Sequence, residues 1–219
     1  MFLSHGADVC GFAAADSFSC AEVGFKPSDV YEKCRSVIVF GVALPKSLFE
    51  VSPRIIYSHY NGMSTSVADK IAFDCSKLLE ENFGCTALPL PCDGPYEYWI
   101  PEKLEGKGTV SMKYAAVMAG LGQMGKNRLL LNEKYGNRLT LGAVLCDLEL
   151  EGDKPSESIC QKTCHKCIDS CPAGAIGENG VDQSKCRPAA YGKTKKGCDT
   201  VECNLCRSVC PMKAGKTKE

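Results

Sequence analysis

The chain has 219 residues, with 26 basic and 26 acidic side chains and therefore no formal net charge; 44% of its residues are hydrophobic and 24% charged. This composition excludes a disordered tail or a strongly basic nucleic-acid coat. The longest apolar run, Val37 to Leu44, falls far short of the ~18 residues that a membrane helix needs. The opening Met1-Phe2-Leu3-Ser4-His5-Gly6 lacks the basic end and apolar stretch of an export signal, so a soluble, cytoplasmic protein with no membrane partner is expected.

In chain order, Val37-Ile38-Val39-Phe40-Gly41-Val42-Ala43-Leu44 is β-branched and apolar at neighbouring positions and ends at Pro45, which predicts a strand buried on both faces. From Ser66 to Asn82 the apolar positions Val67, Ile71, Cys75 and Leu78 recur at helical spacing, charged residues take other positions, and Gly84 follows. An amphipathic helix with a glycine stop is expected. Thr86 to Pro91 is a short extended segment, and Cys92 to Lys107 is a loop rich in Gly, Pro and aromatics. Ser111 is placed to cap a helix over Met112 to Ala119, ending at Gly120. Arg128-Leu129-Leu130-Leu131 and Leu139 to Leu145 flank a polar turn and predict a hairpin. Residues 1–150 thus predict an α/β or α+β layer domain. A polar linker, Glu149 to Ser158, leads to a second domain over 151–219.

That second region carries the chemistry. The chain has 16 cysteines, and in a reducing compartment many thiols point to metal binding rather than cross-links. Seven are scattered through the first 150 residues and nine fall between Cys160 and Cys210. Cys164-x2-Cys167-x3-Cys171-Pro172 recurs as Cys203-x2-Cys206-x3-Cys210-Pro211, displaced throughout by 39 residues. Tight cysteine loops ending in Cys-Pro belong to two-cluster ferredoxins, where the last cysteine of each run serves the other cluster. The expected ligands are Cys160, Cys164, Cys167 and Cys210 for one [4Fe–4S] cluster, and Cys186, Cys203, Cys206 and Cys171 for the other. Cys198 competes with Cys186 for the leading place in the second set, since it lies 38 residues after Cys160. Zinc is the alternative occupant, but its sites use two separated pairs. His165, beside Cys164, reads as a solvated residue on a ligand loop.

Gly120-Leu121-Gly122-Gln123-Met124-Gly125 spells G-x-G-x-x-G, but a helix precedes it and no long helix follows, which argues against a dinucleotide site. Lys126 beside it either meets a phosphate or carboxylate or is a solvated turn residue. The block Ala119-Gly120-Leu121-Gly122-Gln123-Met124-Gly125-Lys126-Asn127, followed by Tyr135-Gly136-Asn137-Arg138-Leu139 and the double cysteine repeat, resembles epoxyqueuosine reductase and the reductive dehalogenases. Gly6 to Ala13 and Ser36 to Val39 are similar to the family's amino-terminal segments as well.

The resemblance implies a nitroreductase-like α/β domain that binds cobalamin and receives electrons from the clusters. By position it makes Gly120, Gly122, Gly125, Lys126 and Asn127 cofactor-binding. It also implies an electron donor of ferredoxin or flavodoxin type and a small-molecule or tRNA substrate; the seven thiols outside the repeat suggest a low-oxygen setting. The family's aspartate, its expected proton donor, aligns with Gly106 here, and Glu97, Glu102 and Glu105 are the acids nearby. His59 in Tyr57-Ser58-His59-Tyr60-Asn61-Gly62 lacks the aspartate of a corrinoid-binding histidine motif. Cys34, Cys75 and Cys146 read as small core residues, and Cys92 as the one loop thiol open to a nucleophilic or redox role. The lysines of the end, Lys193, Lys195, Lys196, Lys213, Lys216 and Lys218, form either a tRNA contact or a solvated tail. The reading is an iron–sulfur oxidoreductase, with a non-enzymatic electron carrier as the alternative.

Overall fold

The computed structural model describes residues 1–51, 54–178 and 180–216; Lys218 lies outside them. In chain order the first part holds β1 (Val9–Ala14), α1 (Pro27–Val30), β2 (Ser36–Ala43), α2 (Ile55–Phe83), β3 (Ala87–Leu90), β4 (Tyr98–Ile100), β5 (Glu105–Lys107), α3 (Met112–Met118), β6 (Gln123–Met124), β7 (Leu130–Leu131) and β8 (Leu139–Cys146). The second holds α4 (Lys166–Asp169), β9 (Ile176–Gly177), β10 (Gly180–Val181), α5 (Gln183–Ala190), β11 (Tyr191–Lys193), β12 (Asp199–Val201) and α6 (Leu205–Ser208).

The central sheet runs β1-β2-β8-β3 with every pairing antiparallel. Side chains alternate across a strand, and β2 uses both faces: Val37 and Val39 pack with Ala115, Ala116 and Val117 of α3. Ile38 and Phe40 pack on the other side with Ala68, Ile71, Ala72, Cys75 and Leu79 of α2. The result is a three-layer mixed α and β domain. Gly142 is required where β8 passes Phe40, since a Cβ there would lie 2.4 Å from the ring.

Three expectations change. The long helix begins at Ile55 rather than Ser66, because residues 55–65 carry no charged side chain to reveal a polar face. Ile71 and Cys75 face the sheet as expected, but Ala68, Ala72 and Leu79 complete the buried stripe, while Val67 is exposed. Small alanines let the helix approach closely, so they, not the larger Val67, mark the contact face. The expected hairpin between Arg128–Leu131 and Leu139–Leu145 does not form. Leu130–Leu131 pair with Gln123–Met124 instead, and β8 joins β2 and β3 in the central sheet.

The segment expected as a linker is packed. Asp153 exchanges two hydrogen bonds with Phe12 of β1: Phe12 N donates to its Oδ2 at 2.8 Å and its own N donates to Phe12 O at 2.9 Å. Ser156 bonds the carbonyl of Gly120 and accepts from Gln123 Nε2 through its own carbonyl. Among the described residues no helix is long and apolar enough to cross a membrane.

Candidate iron–sulfur site

The 39-residue repeat is structural as well as sequential: α4 over Lys166–Asp169 and α6 over Leu205–Ser208 are related by the same offset and pack together. Each helix follows the first cysteine of its copy and carries the next. Cys160, Cys164 and Cys167 therefore come from one loop of the first copy, whereas the second copy brings Cys203 and Cys206 on its turn and Cys186 from α5.

Cys160, Cys164 and Cys167 line a small cavity together with Cys210 from the second copy. Burial holds the Cys167 thiol above the usual range, with the Cys160 and Cys164 thiols adding to it. Cys210 is raised by burial, and by Cys160, Cys167 and Cys164 in turn, against the pull of the Met212 backbone amide. A second group forms around Cys186, raised by burial first and then by Cys171 and Cys203. Burial pushes Cys206 to about 11, opposed by Arg207 and reinforced by Cys186, Cys203 and, across the two groups, Cys167. Cys171 Sγ accepts a hydrogen bond from Ala175 N at 3.3 Å, of the kind that tunes a cluster sulfur. Cys198 stands apart, exposed on the turn between β11 and β12. Among the described residues no three His, Cys, Asp or Glu side chains close on the distance a single ion needs; the first four thiols surround a cavity rather than a point.

The glycine block lies against these loops. Gly120 and Gly122 have positive φ and meet backbone, with a Cβ falling 2.5 Å from Lys154 O and 2.4 Å from Leu131 O respectively. Gly125, Lys126 and Asn127 line the first cysteine cavity. Lys126 Nζ donates to Lys162 O at 2.8 Å and Cys164 O at 3.1 Å. Asn127 Nδ2 donates to Cys206 O at 2.9 Å. Asn137, which the sequence reading did not single out, repeats the device by donating to Arg207 O at 3.0 Å. Its only signal was its place in Tyr-Gly-Asn-Arg beside a turn. Gly136 approaches Met212 O and Lys213 too closely for any side chain.

A cavity of about 710 Å³ opens beside the second thiol group, between the aromatic loop, the start of α3 and α5. Arg187, next to Cys186, lies 5.0 Å from the Trp99 ring, 5.6 Å from Tyr96 and 5.7 Å from Tyr191, contacts that hold the guanidinium in place. Its Nε is buried with no partner among the described residues. Lys113 stands in the open cavity with accessible surface, yet the protein around its ammonium, and then Arg207, lower its pKa. Position 106, where the resemblance expects an acid, is closed: a Cβ on Gly106 would sit 2.5 Å from the Tyr96 ring. Glu105 lines the cavity, whereas Glu97 and Glu102 are exposed elsewhere on the loop.

The remaining candidates fall into place individually. Cys34, Cys75 and Cys146 are buried in the two cores. Cys92 is half-buried; burial, then Asp69 and Asp93, push its thiol to about 12, far from a reactive thiolate. His59 is exposed on α2 and His165 on its loop, where its Nε2 lies 3.2 Å from Glu178 Oε1. Three of the terminal lysines are in ion pairs: Lys193 with Asp199, Lys213 with Glu50 and Lys216 with Glu133.

The tetrachloroethene reductive dehalogenase of Desulfitobacterium hafniense is 33% identical over 180 residues, which cover 80% of this chain and 28% of that protein. Epoxyqueuosine reductase of Bacillus subtilis is 25% identical over 97% of this chain and 62% of its own length. The chain is a homologue of both enzymes. It spans less than two thirds of either. No family model matches it. Among solved structures, an epoxyqueuosine reductase bound to an epoxyqueuosine-modified tRNA stem loop superposes with a TM-score of 0.70 at 19% identity, covering 100% of this chain and 64% of that one. A reductive dehalogenase described as suggesting a mechanism for B12-dependent dehalogenation gives 0.71 at 21% identity, covering 97% and 31%. At such identities these likenesses establish the fold that the two homologues share with this chain.

Proposed function

We propose that the chain is an iron–sulfur oxidoreductase. In this reading Cys160, Cys164, Cys167 and Cys210 hold one [4Fe–4S] cluster, Cys171, Cys186, Cys203 and Cys206 hold a second, and electrons pass through both to an acceptor in the cavity of Lys113 and Arg187. The observation that carries it is the gathering of thiols from both copies of the repeat around one cavity. Homology to two families of reductases supports it. The donor set fits: all-thiol coordination suits iron–sulfur clusters, and neighbouring amides and carbonyl clamps orient the loops. A bound cluster supplies one-electron transfer. The protein's own residues fix the loops and bury the thiols, and they place the Arg187 guanidinium and the Lys113 ammonium where an acceptor's charge would be met. Cys186, not Cys198, is the proposed leading ligand of the second set.

Protein prepared and kept without oxygen should carry about eight irons per chain and give paramagnetic signals after dithionite. Colourless protein without such signals overturns the reading.

The residues carried over for a corrinoid do not fit one. Gly120 and Gly122 pack on backbone, and Lys126 and Asn127 are spent on the cysteine loops. Hydroxocobalamin added anaerobically is expected to leave its visible bands unchanged, and a shift would return the corrinoid to the cavity beside Tyr96. The acceptor is a small molecule or a tRNA: the structurally similar epoxyqueuosine reductase carries an epoxyqueuosine-modified tRNA stem loop, while Lys193, Lys213 and Lys216 here are in surface ion pairs. The closure of position 106 by Tyr96 supports a second reading, in which a partner protein takes the electrons. Transfer to a second protein without turnover of any small molecule would establish it.

A further inference from the structure

The two thiol groups acquire positive charge by different routes. In the second copy of the repeat, Arg207 follows Cys206 directly in sequence, and Arg187 likewise follows Cys186. The position equivalent to Arg207 in the first copy, 39 residues earlier, is Ile168, beside Cys167. Lys162 and Lys166 on that loop are exposed. A cation reaches the first cavity from outside the repeat. The short hairpin of β6 and β7 is closed by Gly125 N to Leu129 O and Arg128 N to Gly125 O, both 2.9 Å, and its tip carries Lys126 into the wall of the cavity. The Lys126 side chain is 17% exposed. Two backbone carbonyls of the ligand loop fix its ammonium, while Asn127, next in sequence, holds the carbonyl of Cys206 in the other set.

We infer that Lys126 is a positioning residue that sets the reduction potential of the first cluster, replacing within the fold the arginine that the first repeat lacks; this rests on the cluster reading above. Reduction adds a negative charge to a thiolate-bound cluster. A nearby cation stabilises the reduced form and raises its potential. A mostly buried ammonium acts through less screening than a surface one. Glu178 Oε1, 4.0 Å from Nζ, opposes it, but its side chain is 64% exposed, so solvent weakens the opposition.

The test is a redox titration of anaerobic protein followed by paramagnetic resonance. K126Q should move one cluster to a more negative potential and the other much less. K126R should stay near wild type. E178Q, whose carboxylate faces both Lys126 and His165 Nε2, should move that same cluster the opposite way; if K126Q loses iron, K126M in the same titration decides the matter. Unchanged potentials in an iron-replete K126Q, equal shifts of both clusters, or an E178Q shift toward the negative overturns the inference. Wild-type protein with no cluster signal would instead defeat the cluster reading itself.

Discussion

Up to residue 150 the chain closes two apolar cores, one on each side of the sheet, with Val37, Val39, Phe40, Ala143, Val144 and Leu145 sealed from solvent. Past residue 159, Ala175 and Ile176 are the buried hydrophobic side chains among those described. The second region is arranged instead by repeated turns, by hydrogen bonds from Lys126, Asn127 and Asn137, and by its thiols. A segment that buries so little apolar surface cannot offset the entropy of ordering its backbone unaided. Its order is therefore expected to depend on what the thiols bind.

The largest expected effect follows directly. Removing iron with a chelator and an oxidant should unfold the cysteine region while the α/β domain persists. Limited proteolysis should then cut rapidly between residues 160 and 216 and leave a resistant fragment of about the first 150 residues. Equal resistance before and after metal removal would erase the contrast between the halves.

Single-cysteine replacements sharpen the contrast within the second region. Cys171→Ala and Cys186→Ala should each lose about half of the iron. Cys198→Ala, whose thiol is exposed on a hairpin turn, should keep all of it. Iron loss in the Cys198 variant with none in Cys186→Ala would exchange their roles.

A core substitution reverses the pattern. Phe40 is fully buried between Gly142 and α2, with its ring centroid 5.2 Å from that of Phe2. Phe40→Ala should cost about 3–5 kcal/mol, read from denaturant unfolding followed on the α/β domain. Iron content per folded molecule should be unchanged.

The two regions also differed in how much of them was legible in sequence. The thiol sets are chemistry at fixed spacing, and a 39-residue offset shows in any register, so these cysteines can be read from sequence alone; in the fold Cys160, Cys164, Cys167 and Cys210 line one cavity. Lys126 and Asn127 stand out in sequence only as part of the glycine block, because side chains that serve distant backbone carbonyls leave no local trace. In the α/β region β2 and α3 showed themselves through dense apolar runs and the Ser111 cap, whose hydroxyl does accept from Tyr114 N. The pairing of β8 was missed because proximity in sequence favours a hairpin, whereas its Leu139-x-Leu141-x-Ala143-x-Leu145 face found a larger apolar partner in β2. The start of α2 was missed for want of charge contrast.

The smallest expected effect concerns the thiols that no cluster uses. Burial lifts Cys10, Cys34 and Cys146 from 9.0 to about 11, and Cys92 to about 12 with help from Asp69 and Asp93. A thiol that loses its proton more readily in the unfolded chain favours unfolding once pH exceeds the unfolded value. The stability these groups contribute is therefore whole below about pH 9 and lost as pH rises through 11 to 12. The denaturant midpoint of the α/β domain should be flat from pH 7 to 8.5 and fall steadily above about 9. Alkylation of Cys92 should in parallel be slow at neutral pH and quicken about tenfold per pH unit, since only the thiolate reacts. Rapid, pH-independent labelling of Cys92 at neutral pH would return it to the reactive thiols and give the α/β region a chemistry of its own, separate from that of the cysteine repeat.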